Sequence, residues 1–279
     1  MYAEALDYLT CPHHPVAPLT LEAGEQRAED GEIVAGTLRC PVCAARYPVA
    51  EGIADLLGPI RFPETLTQAL NLLPLTAWGY ERTWRPNALT ALTGEPFGYQ
   101  RELPLITGMA APERGGLMVD VACSNGLYAR ALDHARGNAP GHVVGIDYAM
   151  PMLQQARAFA RAERLRISYV RARAEALPFA AGTASVLAMG GSLNEIGNSA
   201  RALRELRRVL APAGRVALMC LIRDDRAPGR AVQSFLGLAG VSFPTLDQLN
   251  RAFAAAGLRL RAQWRYRVVV FSLLTADAA

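Results

Sequence analysis

From residue 115 onward, apolar runs of strand length alternate with segments whose apolar positions recur every three to four residues. The runs LMVDVA (117–122), HVVGID (142–147), ISYV (167–170), ASVLAM (184–189), RVALMCLI (215–222), LRLRAQW (258–264) and YRVVVFSLL (266–274) read as strands. Between them, SARALRELRRVL places Leu203, Leu206, Val209 and Leu210 on one helical face, and TLDQLNRAFAAAG does the same with Leu246, Leu249 and Phe253. In the second of these helices Thr245 and Gln248 have capping-box spacing, and Gly257 supplies the stop. Near-continuous apolar strands separated by helices are what a parallel sheet covered on both faces requires. The expectation for residues 115–279 is therefore an α/β fold with a doubly wound, mostly parallel, seven-stranded sheet.

The earlier part of the chain reads differently. Residues 1–60 are rich in Pro, Gly and turn residues around short apolar runs such as LTL (19–21), TLR (37–39) and YPV (47–49). That predicts a small β-rich module with too little core to stand on burial alone. Residues 61–114 carry several prolines and the aromatics Trp78, Tyr80, Trp84, Phe97 and Tyr99, and read as a helical connector or lid. Those aromatics either close over a bound ligand or pack the connector onto the main domain.

Size and composition fit this division. A chain of 279 residues holds one full α/β domain and a smaller companion, and its 51% apolar and 19% charged content is that of an ordinary soluble protein. No apolar run approaches the ~18–20 residues a membrane-spanning helix needs. The first ten residues carry two acids and no base, unlike a secretory leader, so the cytoplasm is the expected compartment. All 29 basic residues are arginine, which here also does the solubilising work of lysine and lowers the weight of any one arginine cluster. The net charge of +4 conceals an asymmetry: residues 1–60 hold nine acids and three arginines, residues 61–279 sixteen acids and twenty-six arginines. By bulk charge the N-terminal module is a poor phosphate-binding surface.

Five cysteines do not make a disulfide scaffold. Cys123 and Cys220 lie at or near strand ends and read as reduced, buried small residues. The other three belong to a spaced set. Cys11-x-x-His14 is followed, after 25 residues, by Cys40-x-x-Cys43, two knuckle pairs suited to tetrahedral Zn²⁺, with His13 as an alternative ligand. Metal ligation would compensate for the small core.

The stretch VDVACSNGLYARAL (119–132) runs an apolar strand into a turn of small residues (Ala122, Cys123, Ser124, Asn125, Gly126) and then a helix. Ligands of doubly wound sheets sit beyond the carboxyl ends of strands, where small residues permit close backbone approach. Asp147 ends the next strand 21 residues after Gly126, where a carboxylate can accept both hydroxyl hydrogens of a ribose. Alone it could cap the following helix; paired with the turn, it points to an adenosine-type cofactor. The Ala122-x-Ser124-x-Gly126 pattern is a poor match to the dinucleotide fingerprint.

From about residue 76 to 275 the chain resembles the class I S-adenosylmethionine-dependent methyltransferases. VDVACSNG resembles their first motif, GIDYAMPMLQQAR the second, RARAEALPFAAGTASVLAM the third and fourth, and ALRELRRVLAPAGRVAL the helix–turn–fifth strand. FPTLDQLNRAFAAAGLRL resembles their sixth helix and strand, and the branch most alike is that of the quinone-biosynthesis methyltransferases. YERTWRPN (80–87) is similar to a segment of poorly characterised bacterial and plastid members. The resemblance implies that the backbone of residues 122–126 holds the methionine end of the cofactor and that Asp120 orients the turn. It further implies that Asp147 takes the ribose diol, that Tyr148 and Met152 flank the adenine, and that Ala174 and Glu175 lie at its edge. The chain departs from the family pattern at Ala122 and Ser124, usually glycines, at Arg173, often an aspartate beside the adenine amino group, and at Ser185, often aspartate.

In this fold GGSLNEIGN (190–198) faces the methyl group, which makes Asn194 and Glu195 the acceptor-side candidates; the alternative is a helix-capping Asn194 and a solvated Glu195. Residues 223–243 lie where related enzymes insert a substrate cap. Residues 4–58 resemble the zinc ribbons that serve as activator subunits of tRNA and translation-factor methyltransferases or as N-terminal extensions of bacterial ones. Some such ribbons keep the fold without the metal. The leading expectation is methyl transfer from S-adenosyl-L-methionine to a small or lipophilic acceptor, with Zn²⁺ in the ribbon. An RNA methyltransferase is the second reading, and a non-catalytic cofactor-binding or partner-activating protein the third.

Overall fold

The computed structural model describes residues 1–58 and 85–277; Trp78, Tyr80 and Trp84 lie outside the described residues. Every expected strand of the main domain is present: β8 (Gly116–Val121), β9 (Gly141–Asp147), β10 (Ile167–Arg171), β11 (Ala184–Gly190), β12 (Leu210–Leu221), β13 (Leu258–Tyr266) and β14 (Val269–Ala276). They run in the order β10-β9-β8-β11-β12-β14-β13. The first five are parallel, β14 is antiparallel to β12, and β13 is antiparallel to β14. The order reverses between β8 and β11, and a doubly wound sheet opens its ligand crevice beyond the carboxyl ends of strands at such a reversal.

The helices, numbered over the described residues, are α1 (Arg85–Thr93), α2 (Tyr99–Ala110), α3 (Leu127–Arg136), α4 (Met150–Ala162), α5 (Ser199–Val209), α6 (Ala227–Leu238) and α7 (Leu246–Ala255). Strand alternation divides the core into two layers. Leu117, Val119, Ile146, Leu187 and Leu218 pack with Leu203 and Leu206 of α5 and Phe253 of α7. Met118, Val143, Val186 and Ala217 pack with Ile106 of α2, Leu132 of α3 and Leu153 of α4. The Thr245–Gln248 capping box forms as the sequence predicts, and Gly257 follows the end of α7 with a left-handed φ of +73°.

β12 is longer than the apolar run that foretold it. Residues 211–214 read as a turn, yet they belong to a strand of 12 residues. Ala184 pairs with Leu210 while Val186 pairs with Arg215, so β12 bulges out its extra residues against β11. Gly214 permits this, since a Cβ there would lie 2.7 Å from a Leu210 methyl and 2.8 Å from the Ala184 carbonyl oxygen.

The N-terminal residues form β1 (Thr10–Cys11), β2 (His14–Pro18), β3 (Thr20–Leu21), β4 (Gln26–Arg27), β5 (Ile33–Arg39), β6 (Arg46–Ala50) and β7 (Ile53–Asp55). β1 and β2 make a small hairpin, while β3, β5, β6 and β7 continue the main sheet outward from β10. The junction is the parallel pairing of β7 with β10, which sets Ile53 opposite Tyr169 and Asp55 opposite Arg171.

The charge asymmetry has its physical counterpart at this junction. Glu32, with 2% of its side chain exposed, accepts hydrogen bonds from Arg157 (2.7 Å), Arg161 (2.6 Å) and the amino group of Met1 (3.2 Å). Glu4 pairs with Arg166 at 2.8 Å and Asp55 with Arg171 at 2.9 Å. Acids among residues 1–58 thus meet arginines of α4, β10 and the loop between them. Burial alone would raise the pKa of Glu32, but the hydrogen bonds and charge of Arg157 and the Met1 amino group bring it down to about 2.

Removing one partner of a buried ionic cluster leaves the rest uncompensated. Glu32→Ala should lower stability by about 3 kcal/mol in urea unfolding at neutral pH. Because the folded carboxyl titrates below its ordinary value of 4.5, its contribution is complete above that pH and fades as pH falls toward 2. The gap between wild type and variant should narrow over the same range; a gap constant with pH would contradict the assignment.

Candidate functional site

The turn after β8 is built on unusual backbone. Ala122 (φ +53°), Ser124 (φ +50°) and Gly126 (φ +75°) all adopt left-handed conformations. For residues with a Cβ this costs roughly 1–2 kcal/mol each, which gives a physical reason for glycine at the two departing positions. The turn is held on three sides. Asp120, 2% exposed, accepts the Ala129 N–H of α3 at 2.8 Å. Ser192 donates through Oγ to the Ala122 carbonyl at 3.1 Å. Asp147, 6% exposed, accepts the Ser124 N–H at 2.8 Å through Oδ2 and the Ala149 N–H at 2.9 Å through Oδ1. Burial raises the Asp147 pKa, and the backbone N–H groups of Ala149, Ser124 and Tyr148 oppose that rise.

The turn and the carboxylate therefore meet at the reversal of strand order, the place where a doubly wound sheet opens its ligand crevice. Met152 joins them, its sulfur 3.5 Å from the Ser124 hydroxyl, and Tyr148 packs beside Met152 and Ala149. The loop carrying Ala174 and Glu175 starts next to Asp147, whose carbonyl accepts the Ala172 N–H at 3.0 Å. Ala174 is buried, whereas Arg173 and Glu175 are half-buried. Cys123 and Asn125 are buried, and Cys123 turns its sulfur inward, 3.1 Å from where a Cβ on Gly145 would lie. Cys123 accordingly lends the crevice backbone only. Small side chains opposite a buried acid, with carboxylate lone pairs beyond those used by N–H groups, fit a ligand that brings hydroxyl donors and needs close backbone approach.

Asn194 is placed as a brace. Its side chain, 2% exposed, donates to the carbonyls of Leu221 (2.7 Å) and Ser242 (2.6 Å) and accepts the Leu221 N–H (2.8 Å). It ties the carboxyl end of β12 to the end of residues 223–243. Capping of α5 falls to Asn198, which accepts the Arg201 N–H at 3.0 Å. Glu195 is half-buried beside Asn194.

Several supporting residues escaped the reading of the sequence. Arg171, 5% exposed, donates to the Tyr148 carbonyl, Asp55 and the Gly58 carbonyl at 2.9 Å each, joining the crevice to the N-terminal strands. Tyr128 donates to the fully buried Glu102 at 2.5 Å and lies where a Cβ on Gly190 would come within 2.8 Å of its ring. Tyr169 underlies the turn: a Cβ on Gly126 would sit 2.7 Å from its hydroxyl, and one on Gly145 would sit 2.7 Å from its ring. A lone arginine closing the run ISYVR was the available signal for Arg171; the others carry no local pattern.

Cys11, His14, Cys40 and Cys43 bring their ligand atoms within 4.8 Å of one another. Cys11 Sγ lies 3.8 Å from Cys43 Sγ and 3.9 Å from His14 Nδ1, and Cys40 Sγ lies 3.9 Å from that same nitrogen. His13 is exposed, so the structure selects His14. Burial disfavours a Cys40 thiolate, but the N–H groups of Cys43 and Val42 outweigh it and lower its pKa to about 6. The Tyr47 hydroxyl lies 3.3 Å from Cys11 Sγ. These separations match the edge of about 3.8 Å in a tetrahedron with metal–sulfur bonds of about 2.3 Å.

The family model described as a methyltransferase domain matches residues 119–218. An uncharacterized chloroplastic methyltransferase of Arabidopsis thaliana is 28% identical over 197 residues, covering 67% of this chain and 54% of that protein. A demethylmenaquinone methyltransferase of Thermus thermophilus is 38% identical over 110 residues, 39% of this chain and 47% of that protein. Among solved structures, a Haemonchus contortus phosphoethanolamine N-methyltransferase, in complex with phosphomonomethylethanolamine and S-adenosylhomocysteine, superposes with a TM-score of 0.61 at 14% identity, covering 78% of this chain and 62% of the other. The chain spans about half the length of the curated relatives it matches, 54% and 51% for the two Arabidopsis proteins. The fold is that of the Rossmann-like methyltransferases.

The Tyr169 hydroxyl is buried with no hydrogen-bond partner among the described residues. An unsatisfied buried hydroxyl is a net cost, so Tyr169→Phe should stabilise the protein by about 1 kcal/mol in urea unfolding. A loss of similar size would show that the hydroxyl has a partner under the turn.

Proposed function

We propose that the protein transfers a methyl group from S-adenosyl-L-methionine to a small, lipophilic acceptor of quinone type and holds a structural Zn²⁺ in its N-terminal knuckles. One observation carries the cofactor half of this reading: the Asp147 carboxylate bonds the Ser124 amide of the turn after β8, so acid and turn share one crevice. In this reading Asp147 accepts the ribose hydroxyls and the backbone of residues 122–126 cradles the methionine end. Tyr148 and Met152 flank the adenine, with Ala174 and Glu175 at its edge. The acceptor class is supported by relatives named as demethylmenaquinone and phytylnaphthoquinone methyltransferases.

Methyl transfer from a sulfonium needs the acceptor atom in line with the S–CH₃ bond, and positioning alone supplies much of the rate. Glu195 is the acceptor-side carboxylate of this proposal, and Asn194 positions the cap by holding residue 242 against β12. The knuckle residues Cys11, His14, Cys40 and Cys43 would hold the zinc, which contributes folding energy and takes no part in methyl transfer.

Calorimetry with S-adenosyl-L-methionine should give measurable binding to the wild type. Asp147→Asn should weaken it about tenfold or more, as expected for lost hydrogen bonds to a charged acceptor. No binding heat from a folded wild type would remove the reading. Tritiated methyl should pass into a demethylated quinone and not into total RNA; the reverse would move the acceptor to nucleic acid.

For the metal, elemental analysis should find about one zinc per wild-type chain. Cys40→Ser should lower both zinc content and melting temperature. Equal zinc in the two proteins would refute the ligand set.

A further inference from the structure

Helix α6 has its amphipathicity reversed. It follows the carboxyl end of β12, on the edge of the sheet that carries the turn of residues 122–126 and Asp147. At 100° per residue, Gly229 and Gln233 share the side that meets the protein. Gln233 accepts the Asp224 N–H at 2.8 Å and donates to the Ile222 carbonyl at 2.9 Å. Gly229 has no room for a side chain, since a Cβ would lie 1.9 Å from the Asp224 carboxylate. The opposite side carries Ala227, Pro228, Ala231, Ser234, Phe235 and Leu238, and Val232 lies on its flank. Phe235 is 73% exposed, Leu238 86% and Val232 60%, and no residue of the helix is buried. A surface helix ordinarily turns its apolar stripe to the core and its polar residues to water; α6 does the opposite.

We propose that α6 is a membrane-surface contact, its outer face seated in the headgroup region of an anionic bilayer. Charge selects this occupant. Beside the helix stand Arg223, Arg226, Arg230, Arg265 and Arg267 against Asp224, Asp225 and Asp247. Two of those aspartates are already engaged, Asp224 with Arg267 at 2.8 Å and Asp225 with Arg265. Arg226 stands at the N-cap position of the helix, and the open cleft of about 610 Å³ at its base is lined by Arg223, Arg230 and Arg265 together with Asp224, Asp225 and Asp247. With those pairs formed, Arg223, Arg226 and Arg230 outnumber Asp247 beside the apolar face, a balance that complements anionic lipid and repels a second copy of itself. The footprint argues the same way. A 12-residue helix is about 18 Å long and 10 Å wide, giving about 200 Å², against the roughly 800 Å² per partner of a stable protein interface. Among the described residues no helix is long and apolar enough to cross a membrane, so the contact is with the surface. The inference rests on the reading of the acceptor as lipophilic: docking by α6 would turn the crevice mouth toward the phase in which such an acceptor dissolves.

The test is co-sedimentation of the full chain with vesicles of phosphatidylcholine, with and without phosphatidylglycerol. Wild type should bind the phosphatidylglycerol vesicles and lose most of that binding at high salt. Phe235→Ser/Leu238→Ser should bind about tenfold more weakly. Circular dichroism and S-adenosyl-L-methionine calorimetry on the same variant should be unchanged, so a failed membrane contact is separable from a failed cofactor site. Equal binding by variant and wild type, or no binding by wild type, would overturn the proposal. So would a wild-type dimer in analytical ultracentrifugation that the variant converts to monomer, because the face would then belong to a second copy.

Discussion

The turn after β8 is anchored on β9 by two hydrogen bonds, from the Ser124 amide to the buried carboxylate of Asp147 and from the Cys123 amide to the Ile146 carbonyl. The first of these ties the turn to the side chain at the tip of β9, the neighbouring parallel strand. The turn needs the restraint. Two of its residues with a Cβ sit at positive φ, a conformation that persists only where the surroundings over-determine it. Asp120, Ser192 and Asp147 do so from three directions, and Tyr169 supports the turn from below. Strain is thus held at the carboxyl edge of the sheet, beside a buried acid, which is where the proposed reading seats the cofactor.

The N-terminal strands reinforce the same region. They extend the sheet past β10 and commit their acidic excess to arginines of the main domain, with Glu32 at the centre. Arg171 spans the two parts, since it pairs with Asp55 and also holds the carbonyl of Tyr148, the residue after the crevice acid. The knuckle hairpin is tied in as well: the Thr10 N–H, next to Cys11, donates to the Pro178 carbonyl at 2.9 Å, in the loop that follows Glu175. The Cys/His cluster, the extended sheet and the turn with its acid are thus consecutive parts of one hydrogen-bonded framework.

Much of the main domain could be read from the chain because its strands are buried on both faces and appear as unbroken apolar runs, as in LMVDVA and HVVGID. The turn and the acid were legible as local features, a run of small residues closing one strand and a carboxylate closing the next. The knuckle spacing was legible because ligand chemistry restricts residue type. Less could be read where the cause is distant in sequence. The pairing of the three-residue β7 with β10 crosses more than a hundred residues, and no local pattern announces it. Residues 211–214 have turn composition, and only the bulge against β11 makes them strand. Asn194 has the residue type of a catalytic or capping group, and its role as a brace depends on where the Leu221 and Ser242 carbonyls arrive.

The most direct measurement is an amide chemical-shift titration with S-adenosylhomocysteine, which places the ligand on the backbone without requiring turnover. On the proposed reading, in which a single molecule bridges the turn and the tip of β9, the amides of Ser124, Asn125, Gly126, Tyr148 and Ala149 should shift together and saturate at one ligand concentration. Shifts confined to other surfaces, with residues 124–126 and 147–149 unmoved, would contradict the assignment of this crevice to the cofactor.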